Sequence, residues 1–143
     1  MTEVAFHFNA PDKLAYACRF ARKMVRGDRR LVIAAAPPVL EVLDQMLWGL
    51  APHEFVAHCG QGAPAEVIAA SPVLLLSDPS QALQHGVLLN LGDDVPPGFG
   101  SFAHLIEVVS ADDEADRQRA RLRWRHYAQR GYQIVRHDLV LKQ

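Results

Sequence analysis

The sequence predicts an open, mostly parallel α/β sheet with helices on both faces, Rossmann-like in outline, in one domain spanning residues 1–143. Three observations carry that prediction. Short apolar runs alternate along the chain with stretches of helical period. The run Leu31-Val32-Ile33-Ala34-Ala35-Ala36 is apolar at every position, as a strand covered on both faces must be. The connections are short, as successive strand and helix layers require. With 143 residues, half of them hydrophobic, the chain can bury about two-thirds of its unfolded surface in a single core.

Val4 to Phe8 reads as the first strand. Pro11 then opens a helix in which Leu14, Ala17, Cys18, Ala21, Met24 and Val25 keep helical spacing until Gly27 stops it. After the apolar strand, Pro37-Pro38 starts a second helix with Val39, Val42, Leu43, Met46 and Leu50 on one stripe. Further strands are expected at Glu54 to His58, Val73 to Leu76, Val87 to Leu91 and His104 to Val109. An arginine-rich helix and a short last strand near Tyr132 to Val135 complete the order. Glycine and proline gather at Gly60 to Pro64 and Gly92 to Gly100, which read as surface loops.

Several function classes lose support from composition. No run approaches the ~20 apolar residues that span a bilayer. The chain begins directly with a strand-like segment, and Cys18 and Cys59 form no C-x-x-C, so a reduced, cytoplasmic protein is expected. Gly60-Gln61-Gly62-Ala63-Pro64-Ala65 formally fits the G-x-G-x-x-A dinucleotide fingerprint, with Asp78 about twenty residues on. Pro64 in the turn, Pro72 soon after, and the lack of a strongly apolar strand before it favour a chance loop. A P-loop is excluded, because Lys13, Lys23 and Lys142 are the only lysines and none follows a glycine loop.

His53, His58 and Cys59 are the one local grouping of metal-ligand type, short of the four ligands of a structural zinc site. The remaining histidines are isolated in sequence and read as ordinary surface or core residues. No nucleophile-elbow pattern is present, and the partners of a Ser-His-Asp or Cys-His pair meet in space rather than along the chain. No metal and no cofactor is therefore expected.

Binding surfaces offer more. Residues 117 to 127 carry five arginines, Trp124 and Tyr127 in a chain of formal charge -1. A planar guanidinium fork suits a carboxylate or phosphate. On a helical wheel Ala120, Trp124, Tyr127 and Ala128 form one stripe, and Arg117, Arg121 and Arg125 run along its border. Arg119, Arg123 and Arg130 fall on the far side and read as solvated. Asp112, Asp113, Glu114 and Asp116 precede the helix, at its positive dipole end, and Gly131 follows it. A second surface gathers at Trp48, which shares a polar helix face with Glu41, Asp44 and Gln45, and at Phe55. An exposed tryptophan is a favoured interface anchor. The bland alternative is a frayed helix end with Trp48 folded onto the core.

Taken in order, several segments resemble a known family over essentially the whole chain. They are the first strand with its alternating phenylalanines, Arg29-Arg30-Leu31-Val32-Ile33-Ala34, Leu47-Trp48, Phe55-Val56-Ala57-His58, Gly62-Ala63-Pro64, Glu107-Val108-Val109, and Arg121-x-x-Trp124-Arg125-x-Tyr127-x-x-x-Gly131-Tyr132. The family is the chi subunit of bacterial DNA polymerase III holoenzyme.

The resemblance implies a non-catalytic adaptor of the clamp-loader assembly, with a nucleotide-binding-like fold but no working nucleotide site. Its implied partners are the psi subunit and the acidic C-terminal tail of single-stranded-DNA-binding protein, with DNA reached only indirectly and no membrane contact. Tail binding would fall to Arg121, Trp124 and Arg125, with Arg117 aligned to a further basic position; psi contact would fall to Trp48 and Phe55. Trp124 stands where the family has a tyrosine and Arg125 where it has a lysine, and both keep the role. Ser110 to Asp116 is shorter than in the family, which loosens the alignment of Arg117. The rival readings are a direct nucleic-acid binder and a small nucleotide-using enzyme.

Overall fold

The computed structural model describes residues 1–49 and 57–140. Among these residues seven strands and four α-helices follow one another as β1 (Glu3–Ala10), α1 (Lys13–Arg26), β2 (Leu31–Ala34), α2 (Pro37–Trp48), β3 (His58–Gly60), α3 (Ala65–Ala70), β4 (Val73–Leu76), β5 (Val87–Asn90), β6 (His104–Ser110), α4 (Glu114–Gln129) and β7 (Ile134–Asp138). Helix starts follow local chemistry. Asp12, not Pro11, begins α1: its carboxylate accepts the Ala15 amide at 3.1 Å, capping an otherwise unpaired donor. Pro37 and Pro38 occupy the first turn of α2, where no amide donor is missed. Asp113 caps α4 through the Asp116 amide at 3.2 Å, and Gly131 takes the left-handed φ of 82° that ends it.

Two strand boundaries and one helix face also differ from the sequence reading. Of the strand expected at Glu54 to His58, residues 54–56 lie outside the described residues, and β3 pairs only from His58, opposite Val73. The last strand starts at Ile134 and runs on to Asp138, because Tyr132 stays with the end of α4: its amide donates to the Tyr127 carbonyl at 3.2 Å. In α2 the buried residues are Leu40, Leu43 and Leu47, while Val42 is exposed, so the apolar stripe is rotated from the expected one. Leu50 lies outside the described residues.

The strands form one sheet in the order β3-β4-β2-β5-β6-β1-β7, and every pairing is parallel. The chain first travels from β1 through β2 to the β3 edge, carrying α1 and α2; it then returns through β4, β5 and β6 to β7, carrying α3 and α4. Crossovers of one hand made in opposite directions put their helices on opposite faces. The core divides accordingly. Leu31, Ile33 and Leu89 pack with Ala17, Ala21, Leu43 and Leu47 of α1 and α2. The alternate residues Val32, Ala34 and Leu88 pack with Ala120 and Tyr127 of α4 on the other face. Direction reverses between the neighbours β1 and β6, whose helices leave to opposite faces. Such a switch opens a crevice at the carboxyl ends of the strands. To reach β7 from β6, α4 must pass over β1.

Candidate functional site

Rotation of α4 about its axis decides which arginines face the crevice, and a buried ion pair sets that rotation. Arg123, read from sequence as solvated, is 2 % exposed. Its Nε donates to Glu107 Oε1 of β6 at 3.0 Å, and its Nη1 to the Asp93 carbonyl at 2.8 Å. Tyr127 donates its hydroxyl to the other Glu107 oxygen, and Asn90 Nδ2 donates to Oε1 at 2.9 Å. Burial pushes the Glu107 carboxyl above its usual range, against the pull of Arg123 and three hydrogen bonds. The inward side of α4 is thus Asp116, Ala120, Arg123 and Tyr127, and Ala128, expected on the stripe, is exposed.

The first turn of α4 is fixed as firmly. Asp116 accepts from Lys13 Nζ at 2.9 Å and from the Ser110 amide at 2.8 Å. Burial works to raise its pKa, but these partners prevail and hold it below the ordinary value.

With Arg123 turned inward, Arg117, Arg121, Trp124 and Arg125 come round to the β1–β7 side. They border a cavity of about 430 Å³ between α4 and the carboxyl ends of β1, β6 and β7. Phe6, Phe8, Val109, Ala120 and Trp124 give it apolar walls. The Trp124 ring lies 5.0 Å from that of Phe6, so the indole is partly buried and held as a wall. Arg117 anchors on the Ala111 carbonyl at 3.1 Å. Arg121 reaches Glu114 at 3.3 Å, a contact between exposed groups that contributes at most about 1 kcal/mol and yields readily to another anion. Among the described residues Arg125 has no ion-pair partner.

The structure adds a fourth cation that the sequence reading missed. Arg136 of β7 lines the same cavity, with its guanidinium 5.1 Å from the centre of the Phe8 ring. It sits opposite Phe6 in the β1–β7 register. The alternating phenylalanines of the first strand were the available signal, but β7 was placed too early to include Arg136. On the far side of α4 Arg119 pairs with Asp93 at 3.1 Å and Arg130 is exposed. The groove therefore presents four guanidinium groups around an apolar floor, with Glu114 the one acidic side chain engaging them among the described residues.

Trp48 stands at the end of α2, 61 % exposed, so the alternative of a fold back into the core does not hold. Its ring centre is 5.4 Å from that of His58, whose Nε2 is 2.8 Å from an Asp44 carboxylate oxygen. Phe55 and His53 lie outside the described residues. The strand that leads into the Gly60 loop is no strongly apolar one, and the helix after it is short: β3 is a three-residue edge strand and α3 has only six residues. A Cβ added at Gly60 or Gly62 would meet nothing within 4 Å, so the close backbone approach that fixes fingerprint glycines is absent there. Asp78 caps a 3-10 turn through the Ser80 amide at 3.0 Å. Among the described residues no three His, Cys, Asp or Glu side chains converge as metal ligands.

Comparison with known proteins gives a consistent result. Residues 1–135 match the family described as DNA polymerase III chi subunit, HolC. The DNA polymerase III subunit chi of Pseudomonas aeruginosa is 29 % identical over 144 residues, covering 97 % of this chain and 98 % of that protein. The subunit chi of Haemophilus influenzae is 28 % identical over 121 residues, covering 82 % and 81 % respectively.

Proposed function

The chain belongs to the DNA polymerase III chi subunit family, and from that premise we propose a non-catalytic adaptor with two separate docking surfaces. The α4–β7 groove takes the acidic C-terminal tail of single-stranded-DNA-binding protein, and the Trp48 end of α2, with Phe55, pairs with the psi subunit. The protein thereby links the clamp loader to coated single strands in the cytoplasm.

One observation carries the tail reading: four arginines rim a cavity whose walls are apolar. A tail that ends in an apolar residue needs a cationic fork for its carboxylate, a recess for its last side chain, and outlying positive charge for the acidic residues before it. Arg121 and Arg125 flank the Trp124 wall and suit the carboxylate. Arg117 and Arg136, which line the same cavity, suit the preceding acids. Exposed charge pairs are screened over about 10 Å at 0.1 M salt, so affinity is modest and falls as salt rises. Several such tails on one partner raise avidity without new contacts.

Titration of the chain with a tail peptide, with bare oligonucleotide and with nucleotide in parallel tests the reading. Arg121→Ala and Arg125→Ala should each weaken peptide binding about tenfold or more, the effect of removing a charge-assisted hydrogen bond. Peptide affinity unchanged in both variants sinks the assignment. Displacement of the peptide by oligonucleotide would instead favour direct nucleic-acid binding in the groove.

A further inference from the structure

Charge along this chain is strongly segregated. From Leu31 to Asp116 there is no lysine or arginine, but twelve of the sixteen acidic residues fall in that stretch. The cationic segments fall on α1 and the turn after it, on α4 and on β7, and the two helices start beside β1 and leave to opposite faces. One part of this charge borders the groove on the α4 face. Another lies on the opposite face, along α1.

Arg19, Arg22, Lys23 and Arg26 recur at i, i+3, i+4 and i+7, so they form one stripe on α1. Arg29 and Arg30 follow in the turn after the helix, next to Ala70 and Pro72. The Gly27 amide donates to the Lys23 carbonyl at 3.1 Å and the Arg29 amide to the Met24 carbonyl at 2.9 Å, with Asp28 at the left-handed φ of 57°. Arg19, Lys23, Arg26, Arg29 and Arg30 are all exposed, and Asp28 is the one acid between residues 13 and 30. A favourable helix dipole accounts for Lys23 and Arg26 in the last turn. It does not reach Arg19, whose guanidinium lies 5.8 Å from the centre of the Tyr16 ring, or the two arginines beyond the helix end.

From this geometry we infer that the outer face of α1 is a second anion site, for the phosphate backbone of DNA. The stripe carries charge without an anchor: its neighbours Phe20 and Val25 are packed on the core rather than offered to a partner. A peptide ligand needs a buried side chain for affinity, whereas a uniform polyanion needs only cations at regular intervals. One turn of helix, about 5.4 Å, separates successive rungs here. The contact is sequence-independent and weak alone, with a dissociation constant on the order of 10⁻⁴ to 10⁻⁶ M. It gains weight once another surface tethers the chain close to DNA. Because the sheet separates α1 from the groove, both can be engaged together.

Fluorescence anisotropy of the full chain with a labelled oligothymidylate and a labelled duplex, at salt rising from about 50 to about 200 mM, tests the inference. The wild type binds both at low salt. In the triple variant Arg19→Gln/Lys23→Gln/Arg30→Gln the slope of log affinity against log salt falls by about two to three, and tail-peptide binding is unchanged. Replacing Arg19 and Arg30 by lysine keeps the slope. Arg121→Ala/Arg125→Ala leaves DNA affinity unchanged. The inference is overturned if the wild type binds no DNA at about 50 mM salt. DNA affinity that follows the groove variants, or peptide affinity that follows the α1 variants, overturns it too. Failure of the groove reading alone would show only in the peptide arm.

Discussion

Arg123 and its neighbour Arg125 are the same residue type two positions apart, yet one is sealed against Glu107 and the other stands in solvent. The ion pair matters less for net stability than for the rotation it imposes on α4, since a buried pair is strongly destabilising to break but contributes little over apolar replacements. Arg123→Met should cost about 3–5 kcal/mol in urea unfolding, and Glu107→Leu/Arg123→Met should recover most of it. The single variant also acquires a pH signature. Burial already raises Glu107, and without Arg123 the raised pKa climbs further. A folded pKa above the unfolded one gives stability that is complete below the unfolded value and lost as pH rises through the folded value. Arg123→Met should therefore be more stable in mild acid than at neutral pH; a flat profile would contradict the account. Composition could not single out Arg123 among five arginines. The readable clue was Glu107, an acid amid the apolar run of β6.

At the scale of elements, the groove depends on α4 keeping its start as well as its rotation. Lys13 at the first turn of α1 and Asp116 at the first turn of α4 are 2.9 Å apart, tying the two helices that leave β1 and β6. Asp116 titrates below its ordinary value in the fold, so its contribution is present above the unfolded pKa and lost as pH falls through the folded one. Stability should drop below about pH 4, and Asp116→Asn should flatten that limb of the curve. Element types and order were legible because periodicity reports burial: α1, β2, β4 and β5 sit where apolar spacing put them. Boundaries next to turns were not, since the start of β7 depends on a Tyr132–Tyr127 backbone bond that leaves no mark in composition. Likewise Val42 and Leu40 both fit a helical stripe, and only the sheet below α2 chooses between them.

Over the whole molecule, the cationic segments carry the groove and the acidic stretch carries Trp48, so the two proposed docking surfaces are distinct in position and in charge. Trp48→Ala should impair association with a psi subunit and leave tail-peptide affinity unchanged, because a tryptophan 61 % exposed contributes little to the core. Joint loss would mean that the surfaces are coupled through the fold. Arg117, Arg121, Trp124 and Arg125, the residues proposed for the tail, could be grouped from sequence because they share one helix. Arg136 and Phe8 escaped because they join the site only through parallel pairing of β1 with β7. The most direct test of the groove is amide chemical-shift mapping with the tail peptide and with the same peptide amidated at its C-terminus. The account predicts shifts clustered on Phe6 to Asn9, Arg117 to Arg125 and Ile134 to Asp138, and near loss of them on amidation. Shifts centred on α2, or unaffected by blocking the carboxylate, would contradict it.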